Sequence, residues 1–291
     1  MKLFVTGACG QVGMELVRQA KALGWAVMPV GRAVLDITDA LAVRAAISDF
    51  KPDAVINAAA YTAVDGAESD VDAAFAVNRD GVTNLATVCE ACATPLVHYS
   101  TDYVFSGSKA GAYVESDPVA PLGVYGESKL AGEQAVAEHC SKYLVLRTSW
   151  VFSAYGSNFV KTMLRLGAER EELGVVADQV GKPTAASEIA RLTLELLQTD
   201  LDHKWGLYHL AQPDVTSWHS FAEAIFDEAR SQGVVLKVET VKSIGTEDYP
   251  TPAKRPSNSE LNCECLESTF SVRIKPWRES LSEVIRELGH A

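Results

Sequence analysis

Short apolar runs rich in β-branched residues alternate with helical patterns through the first half of this chain. The runs have the length of strands and are apolar on both faces: Leu3–Val5, Ala26–Val30, Ala54–Asn57, Leu96–Ser100 and Leu144–Thr148. The segments between them carry apolar residues at helical spacing: Val12–Leu23, Leu41–Phe50, Ala73–Cys92 and Tyr125–His139. Strands that are buried on both faces and separated by helices form a parallel sheet covered on both sides. Because crossover connections are right-handed, the sequence predicts an α/β fold with a doubly wound parallel sheet.

This regular alternation ends near residue 150. Beyond that point the sequence predicts shorter and less regular elements: helices at Asn158–Glu172, Ser187–Gln198, Trp218–Gln232 and Trp277–Leu288, and strands at Gly174–Ala177 and Gly206–Leu210. We therefore predict a dinucleotide-binding domain in residues 1–149, with returns to it near residues 174–198 and 206–211. Residues 150–173 and 212–291 are predicted to form a smaller, interleaved substrate-binding lobe.

The overall charge excludes some classes of partner. The net charge is −12 and the isoelectric point is near 5.0, which argues against a nucleic-acid backbone as the ligand. An anionic small molecule would need a local group of cations. The chain has no apolar run as long as the roughly 18 residues that a membrane helix needs. It opens directly into an apolar strand, and its six cysteines lack the paired spacing of a metal site, so we expect a reduced, cytoplasmic protein with no membrane partner.

Three glycines follow the first predicted strand, at positions 7, 10 and 13. Gly7 allows the tight turn after the strand, and Gly10 allows the backbone to approach a pyrophosphate at the N-terminus of the following helix. Gly13 allows the helix to pack closely on the strand. A glycine triplet in this position predicts the dinucleotide site of a Rossmann fold, and we expect Gln11 and Val12 to lie at the same site.

A tyrosine and a lysine lie four residues apart in the helix predicted near residues 124–139. Four residues is about one helical turn, so Tyr125 and Lys129 share one face. An ammonium beside a phenol favours the phenolate, which predicts that Lys129 lowers the pKa of Tyr125 towards neutral. Tyr125 is then a candidate proton donor or acceptor, and Lys129 is its catalytic partner.

The glycine spacing and the Tyr-x-x-x-Lys pair together resemble the extended branch of the short-chain dehydrogenase/reductase superfamily. That resemblance implies that Thr101, at the end of the fourth strand, is the third catalytic residue. It also implies cofactor contacts by Asp36 and Ile37, which follow the second strand. The loop after the third strand resembles one that runs along the cofactor, and its candidate residues are Ala60, Tyr61 and Thr62.

The second strand ends in Val30-Gly31-Arg32 without a carboxylate to bind a ribose hydroxyl. An Arg in this position can pair with the 2′-phosphate of NADP. We therefore expect NADPH as the cofactor, and NADH stays open as an alternative.

Six further segments, in order along the chain, resemble the dTDP-4-dehydrorhamnose reductase family from about residue 2 to residue 290. They are Asn57–Glu68, Ser100–Phe105, Val124–Glu133, Arg147–Phe152, Asp178–Thr184 and Arg255–Leu261. The family usually has His where this chain has Tyr61. Thr101 is followed by Asp102-Tyr103 instead of the Asp-Glu pair of sugar-nucleotide dehydratases, so the resemblance implies a simple reductase.

The resemblance implies that the substrate is a dTDP-sugar with a keto group at C4. Hydride from the nicotinamide and a proton from Tyr125 would reduce dTDP-4-dehydro-6-deoxy-L-mannose to dTDP-L-rhamnose. The residues expected to contact this substrate are Thr101, Asp102, Tyr125, Trp150, Lys182 and Arg255. Family resemblance alone suggests Mg²⁺ with Glu15 as a ligand, and no ligand cluster in the sequence requires a metal.

Two other functions stay open at this stage. One is another nucleotide-sugar 4-ketoreductase or an epimerase, which would show no net consumption of NADPH. The other is a non-catalytic, NADP-binding regulatory subunit like that of methionine adenosyltransferase, against which the complete set Thr101, Tyr125 and Lys129 argues. The sugar, the product stereochemistry and the oligomeric state are not determined by the sequence, although a homodimer is the expected assembly.

Overall fold

A computed structural model of the chain describes residues 1–289. Its strands are β1 (Lys2–Thr6), β2 (Ala26–Val30), β3 (Ala54–Asn57), β4 (Leu96–Thr101), β5 (Tyr143–Thr148), β6 (Val151–Phe152), β7 (Glu172–Val176), β8 (Val180–Gly181), β9 (Thr184–Ala185), β10 (Gly206–His209), β11 (Thr216–Ser217), β12 (Thr240–Ile244) and β13 (Asn258–Ser259). Its α-helices are α1 (Gln11–Ala22), α2 (Ala40–Phe50), α3 (Val64–Ala67), α4 (Val71–Phe75), α5 (Gly81–Ala91), α6 (Val124–His139), α7 (Phe159–Glu169), α8 (Ala186–Leu196), α9 (Trp218–Ser231), α10 (Glu264–Phe270) and α11 (Trp277–Gly289).

Six strands form the main sheet in the order β2-β1-β3-β4-β5-β10, and every neighbouring pair is parallel. The strand order reverses between β1 and β3. In doubly wound sheets, ligands bind at such a reversal, outside the carboxyl ends of the strands. The predicted fold class, a doubly wound parallel sheet of the Rossmann type, is confirmed.

The two faces of this sheet are covered by different helices. Leu3 and Val5 on β1 belong to one buried cluster, which also contains Leu16 of α1 and Ile189 of α8. Phe4, between them, belongs to the cluster on the opposite face with residues of α2 and α5. Successive side chains of a strand point to opposite faces, so the continuous apolar run at the N-terminus packs against helices on both sides.

A second core forms the smaller lobe. Its largest buried side chains include Phe152, Phe221 and Trp277, and helices α7, α9 and α11 pack around them. Short strands form small sheets apart from the main one: β6 pairs with β9, and β8 pairs with β11 and β13. Among residues 1–289, no helix has both the length and the apolar character needed to cross a membrane.

Two segments pack in a different part of the protein from the part predicted for them. The strand predicted at Gly174–Ala177 is β7, and it pairs with β12 instead of returning to the main sheet. Its buried residues Leu173 and Val175 alternate with exposed ones and belong to the core of the smaller lobe. Conversely, part of the predicted lobe, including Leu261 and Phe270, packs in the core of the main sheet.

The other two predicted returns to the main sheet agree with the packing. The functions assigned to the two parts of the chain stay predictions. The returns at α8 and β10 lie against α1 and β5 respectively. The predicted helix Ala73–Cys92 is divided by a π-helical turn at Ala76–Asp80. Residues 290 and 291, the end of the predicted lobe, lie outside the described residues.

Candidate active site

One cleft of about 760 Å³ runs along the carboxyl ends of the first four strands. Of the thirteen residues predicted to bind the cofactor, all but Gly13 line it: Gly7, Gly10, Gln11, Val12, Arg32, Asp36, Ile37, Ala60, Tyr61, Thr62, Tyr125 and Lys129. The cleft thus joins the glycine loop at one end to the Tyr-Lys pair at the other.

The glycine loop is shaped by close backbone contacts. Gly7 has a positive φ of 63°, and a Cβ there would lie 2.3 Å from the carbonyl oxygen of Ala58. A Cβ on Gly13 would lie 2.1 Å from the carbonyl oxygen of Gly7, so Gly13 acts in packing and not in lining the cleft. Gly10 precedes α1 without a side-chain cap, which leaves the first amides of this helix directed at the cleft. This cradle fits the pyrophosphate of a dinucleotide.

Arg32 lies at the open rim of the same cleft. Its side chain is 86% exposed and its Nε lies 3.8 Å from Oδ2 of Asp36. Asp36 also accepts hydrogen bonds from the amide (3.0 Å) and hydroxyl (2.8 Å) of Thr38, and these bonds hold its pKa below the usual value. The arrangement leaves the guanidinium accessible to an anion.

The loop carrying Tyr61 is held by a buried asparagine. Oδ1 of Asn78 accepts the amide of Tyr61 at 2.8 Å, and Nδ2 donates to the carbonyl of Tyr61 at 3.1 Å and to the hydroxyl of Ser128 at 3.0 Å. Asn78 lies in the π-helical turn, which directs it at the loop. It therefore supports the cofactor loop and the α6 residue beside Lys129.

Tyr125 and Lys129 occupy the inner end of the cleft. Nζ of the buried Lys129 donates to the carbonyl of Tyr99 at 2.6 Å and lies 3.4 Å from Nε2 of His98. Burial lowers the pKa of Lys129 to about 8. Burial also raises the pKa of Tyr125 to about 12, while a contact with Thr101 acts in the opposite direction.

The expected lowering of the Tyr125 pKa by Lys129 is therefore wrong for this structure. The amine of Lys129 is directed at the backbone of β4 instead of the phenol, and burial of the phenol dominates. The consequence is that Tyr125 carries its proton at neutral pH, as a proton donor must.

Thr101 and Asp102 lie behind the Tyr125 ring, at the end of β4. The Thr101 hydroxyl donates to Oδ1 of Asp102 at 3.0 Å and accepts the amide of Tyr103 at 3.2 Å. Burial raises the pKa of Asp102 to about 6. The ring of Tyr103 packs edge-on against that of Tyr125, with centroids 5.4 Å apart.

Sequence reasoning missed two hydroxyls at this edge of the sheet. Ser100 on β4 and Thr148 on β5 line the cleft, and both are buried. Among the described residues, neither of these hydroxyl oxygens has a hydrogen-bond partner. Oδ2 of the buried Asp102 also lacks one. A bound polar ligand would satisfy the two cleft hydroxyls. Their position at the carboxyl ends of adjacent strands was the signal that could have identified them.

Of the six predicted substrate residues only Tyr125 lines this cleft, and the other five lie outside its lining: Thr101, Asp102, Trp150, Lys182 and Arg255. Trp150 has a positive φ of 48° and stacks on Trp218, with centroids 3.5 Å apart. Lys182 donates to the carbonyl of Leu261 at 2.7 Å. Arg255 forms an ion pair of 2.9 Å with Asp65.

Glu15, the residue suggested for Mg²⁺, is buried in α1. Its carboxylate accepts hydrogen bonds from Arg18 at 2.6 Å and from Gln19 at 3.0 Å. In residues 1–289, no group of three or more His, Cys, Asp or Glu side chains is placed to hold a metal ion. The suggestion of Mg²⁺ has no support in this geometry.

Known proteins of one family match this chain over nearly its whole length. A family model described as the RmlD substrate binding domain matches residues 1–290. The chain is 46% identical to a dTDP-4-dehydrorhamnose reductase of Burkholderia thailandensis, covering 99% of both chains. It is 40% identical to the enzyme of that name from Escherichia coli K12, covering 99% of this chain and 98% of the relative.

Comparison with solved structures also finds dTDP-4-dehydrorhamnose reductases. The dTDP-4-dehydrorhamnose reductase of Bacillus anthracis, in complex with NADP, superposes with a TM-score of 0.92 at 38% identity, over 98% of this chain and 99% of that chain. A UDP-glucose 4-epimerase of Thermus thermophilus, complexed with NAD, shares the fold with a TM-score of 0.82 at 20% identity, over the full length of both chains. The chain therefore belongs to the dTDP-4-dehydrorhamnose reductase family and is an NAD(P)H-dependent oxidoreductase.

Proposed function

We propose that this protein uses NADPH to reduce the C4 keto group of dTDP-4-dehydro-6-deoxy-L-mannose, giving dTDP-L-rhamnose. The observation that carries the proposal is the single cleft that joins the glycine loop to Tyr125 and Lys129. The family relationship supports the sugar, because relatives at 40% and 46% identity carry the name of this reductase.

NADPH supplies the hydride when it is bound. The amides of the glycine loop and of the first turn of α1 would hold its pyrophosphate, and Asp36 and Ile37 would contact its adenosine. The exposed guanidinium of Arg32 suits a 2′-phosphate, which supports NADPH over NADH. The loop at Ala60, Tyr61 and Thr62 would lie along the cofactor.

Tyr125 would protonate the oxygen at C4 as the hydride arrives. Its raised pKa keeps the proton on the phenol at neutral pH, so the donor is present in the correct form. Thr101 would orient the carbonyl oxygen. Because the Thr101 hydroxyl donates to Asp102 in this structure, it must change partner to donate to the substrate.

The remaining contacts with the sugar nucleotide are assigned by family resemblance. The indole of Trp150 suits the apolar face and 6-methyl group of a deoxysugar. Lys182 and Arg255 would provide positive charge for the pyrophosphate against the net charge of −12. Both already bind protein oxygens, so the ligand would have to compete with or add to those bonds.

The test is oxidation of NADPH, followed by its absorbance, with the dTDP-4-keto sugar generated in the same vessel. Tyr125→Phe is the matched variant because it removes only the phenolic oxygen. We expect turnover to fall by about 10²–10⁴-fold, while NADP⁺ binding is retained. Near-normal turnover of this variant would disprove the proton-donor role. Product formation without net NADPH oxidation would indicate an epimerase instead.

Location in the cytoplasm and assembly as a homodimer remain predictions. Size-exclusion chromatography with light scattering measures the mass of the particle and tests the second of them.

A further inference from the structure

Behind the Tyr-Lys pair, a buried chain of polar side chains crosses the sheet from β1 to α6. The Thr6 hydroxyl donates to Oδ1 of Asn57 at 2.6 Å, and Nδ2 of Asn57 lies 3.0 Å from Nδ1 of His98. Nε2 of His98 lies 3.4 Å from Nζ of Lys129. Thr6, Asn57, His98 and Lys129 are all at most 3% exposed. The chain therefore links the strand before the glycine loop to the catalytic lysine.

The direction of the hydrogen bonds in this chain follows from one backbone amide. The N–H of Ala59 points at Oδ1 of Asn57 at 3.1 Å, and an amide N–H can only donate. Oδ1 is therefore the carbonyl end of the Asn57 side chain, and the NH₂ end faces His98. Because that NH₂ also donates, Nδ1 of His98 must accept and carries no proton.

The proton of the neutral ring is then on Nε2, the nitrogen that faces Lys129. Burial and the nearby lysine lower the pKa of His98 well below its usual value, so the ring stays neutral. An N–H directed at Nζ finds an acceptor only when Lys129 is a neutral amine, since an ammonium has three donors and no lone pair.

We infer that His98 is a positioning residue whose Nε2–H, fixed by Asn57, opposes the ammonium form of Lys129 and so sets the pH above which the catalytic lysine loses its charge. This inference rests on the proposed function. Tyr125 gives one proton to the C4 oxygen and solvent returns one proton to the phenolate, so Lys129 acts through its charge and passes no proton. The proton count balances, and the hydride is accounted for by the cofactor.

The other groups around the amine leave this effect of His98 in place. On β4 the neighbours are His98 and the carbonyl of Tyr99, and on α6 they are Tyr125 and Glu133. Glu133 would favour the ammonium, but its carboxylate is bound by Arg147 of β5 at 2.6 and 2.8 Å. The lowered pKa of Lys129, about 8, agrees with an amine that titrates close to neutral pH.

The first test observes the tautomer directly. The whole protein, labelled with ¹⁵N only in its six histidines, is measured by NMR with and without NADP⁺. The His98 signals are identified by their loss in His98→Phe. We expect the proton on Nε2 and a lone pair on Nδ1 between pH 6 and pH 9. An Nδ1–H tautomer or an imidazolium would overturn the inference.

The second test reverses the tautomer. In Asn57→Asp the oxygen that faces His98 can only accept, so the ring proton moves to Nδ1 and the Nε2 lone pair stabilises the ammonium. The apparent pKa that Lys129 contributes to the pH profile of kcat should rise by about one unit. An unchanged apparent pKa in a folded variant would contradict the inference. Thr6→Val is the matched control, because it removes a donor to Asn57 without changing the His98 tautomer.

The two proposals fail separately. The tautomer is measured without a sugar substrate, so a wrong substrate leaves that result intact. A correct substrate with an Nδ1–H tautomer leaves the reductase activity intact and removes the role of His98. If Asn57→Asp does not fold, the NMR measurement on the unmodified chain decides alone.

Discussion

The cofactor end and the substrate end of this protein are built in different ways. At the cofactor end, the proposed contacts of the glycine loop are made by backbone atoms of a short stretch, and its residues are close together in sequence. At the substrate end, each candidate side chain is placed by a residue far along the chain, as Arg255 is placed by Asp65 and Trp150 by Trp218. The difference teaches that the first site depends on steric space and the second on long-range pairing.

Gly13→Ala, at the cofactor end, is expected to have the largest effect on stability and on stabilisation by NADPH. The added Cβ would lie 2.1 Å from the carbonyl oxygen of Gly7, so the loop backbone must move. We expect the free energy of unfolding to fall by about 1–3 kcal/mol and most of the stabilisation by NADPH to be lost. Thermal unfolding with and without NADPH measures both.

The control for that substitution is Gly289→Ala. A Cβ there meets nothing within 4 Å and lies at the end of α11, so stability should not fall and the stabilisation by NADPH should not change. If Gly13→Ala retained full stabilisation by NADPH, the steric account of the cofactor end would fail.

Removing the Arg255 side-chain charge tests the substrate end. Arg255→Gln should raise KM for the sugar nucleotide about tenfold, the size of one lost charge-assisted hydrogen bond, and leave KM for NADPH unchanged. Steady-state kinetics with each substrate varied in turn measures this.

Asp65→Asn separates the two ways in which Arg255 could act. This variant keeps the guanidinium but weakens the 2.9 Å ion pair that holds it. A smaller rise in KM than in Arg255→Gln would indicate direct binding of the substrate. Equal effects would indicate that the ion pair only fastens the loop, and the assignment of Arg255 to the pyrophosphate would be wrong.

The same asymmetry explains how much the sequence predicted. The parallel sheet and the glycine loop follow from local patterns, because a glycine turn and a strand end are short-range features. Family resemblance predicted five further residues that line the cleft: Asp36, Ile37, Ala60, Tyr61 and Thr62. The pairing of β7 with β12 was not predictable, since both strands are short and their partners are distant. The pKa of Tyr125 was predicted in the wrong direction, because helical spacing gives a shared face but not the orientation of an amine.

A smaller effect is expected at the open rim of the cofactor end. Arg32→Ala should weaken NADP⁺ binding about tenfold and leave NAD⁺ binding unchanged, because the contact proposed for the guanidinium is with the 2′-phosphate alone. Stability should not change, since the pair with Asp36 is 3.8 Å long and Arg32 is 86% exposed. Titration of both nucleotides measures the ratio. Arg44→Ala, on the exposed side of α2, controls for the loss of one positive charge.

The last effect concerns the stability of the inner end of the cleft and appears only as pH changes. Burial raises the pKa of Asp102 from 3.8 to about 6, so the folded protein holds this proton more tightly than the unfolded chain does. The contribution is therefore stabilising below pH 4 and is lost as pH rises through about 6. In Asp102→Asn the group no longer titrates, so the variant should gain stability relative to the parent between pH 4 and pH 6.5. Urea unfolding at both pH values measures the difference, and equal pH dependence of the two proteins would show that the Asp102 pKa is not raised.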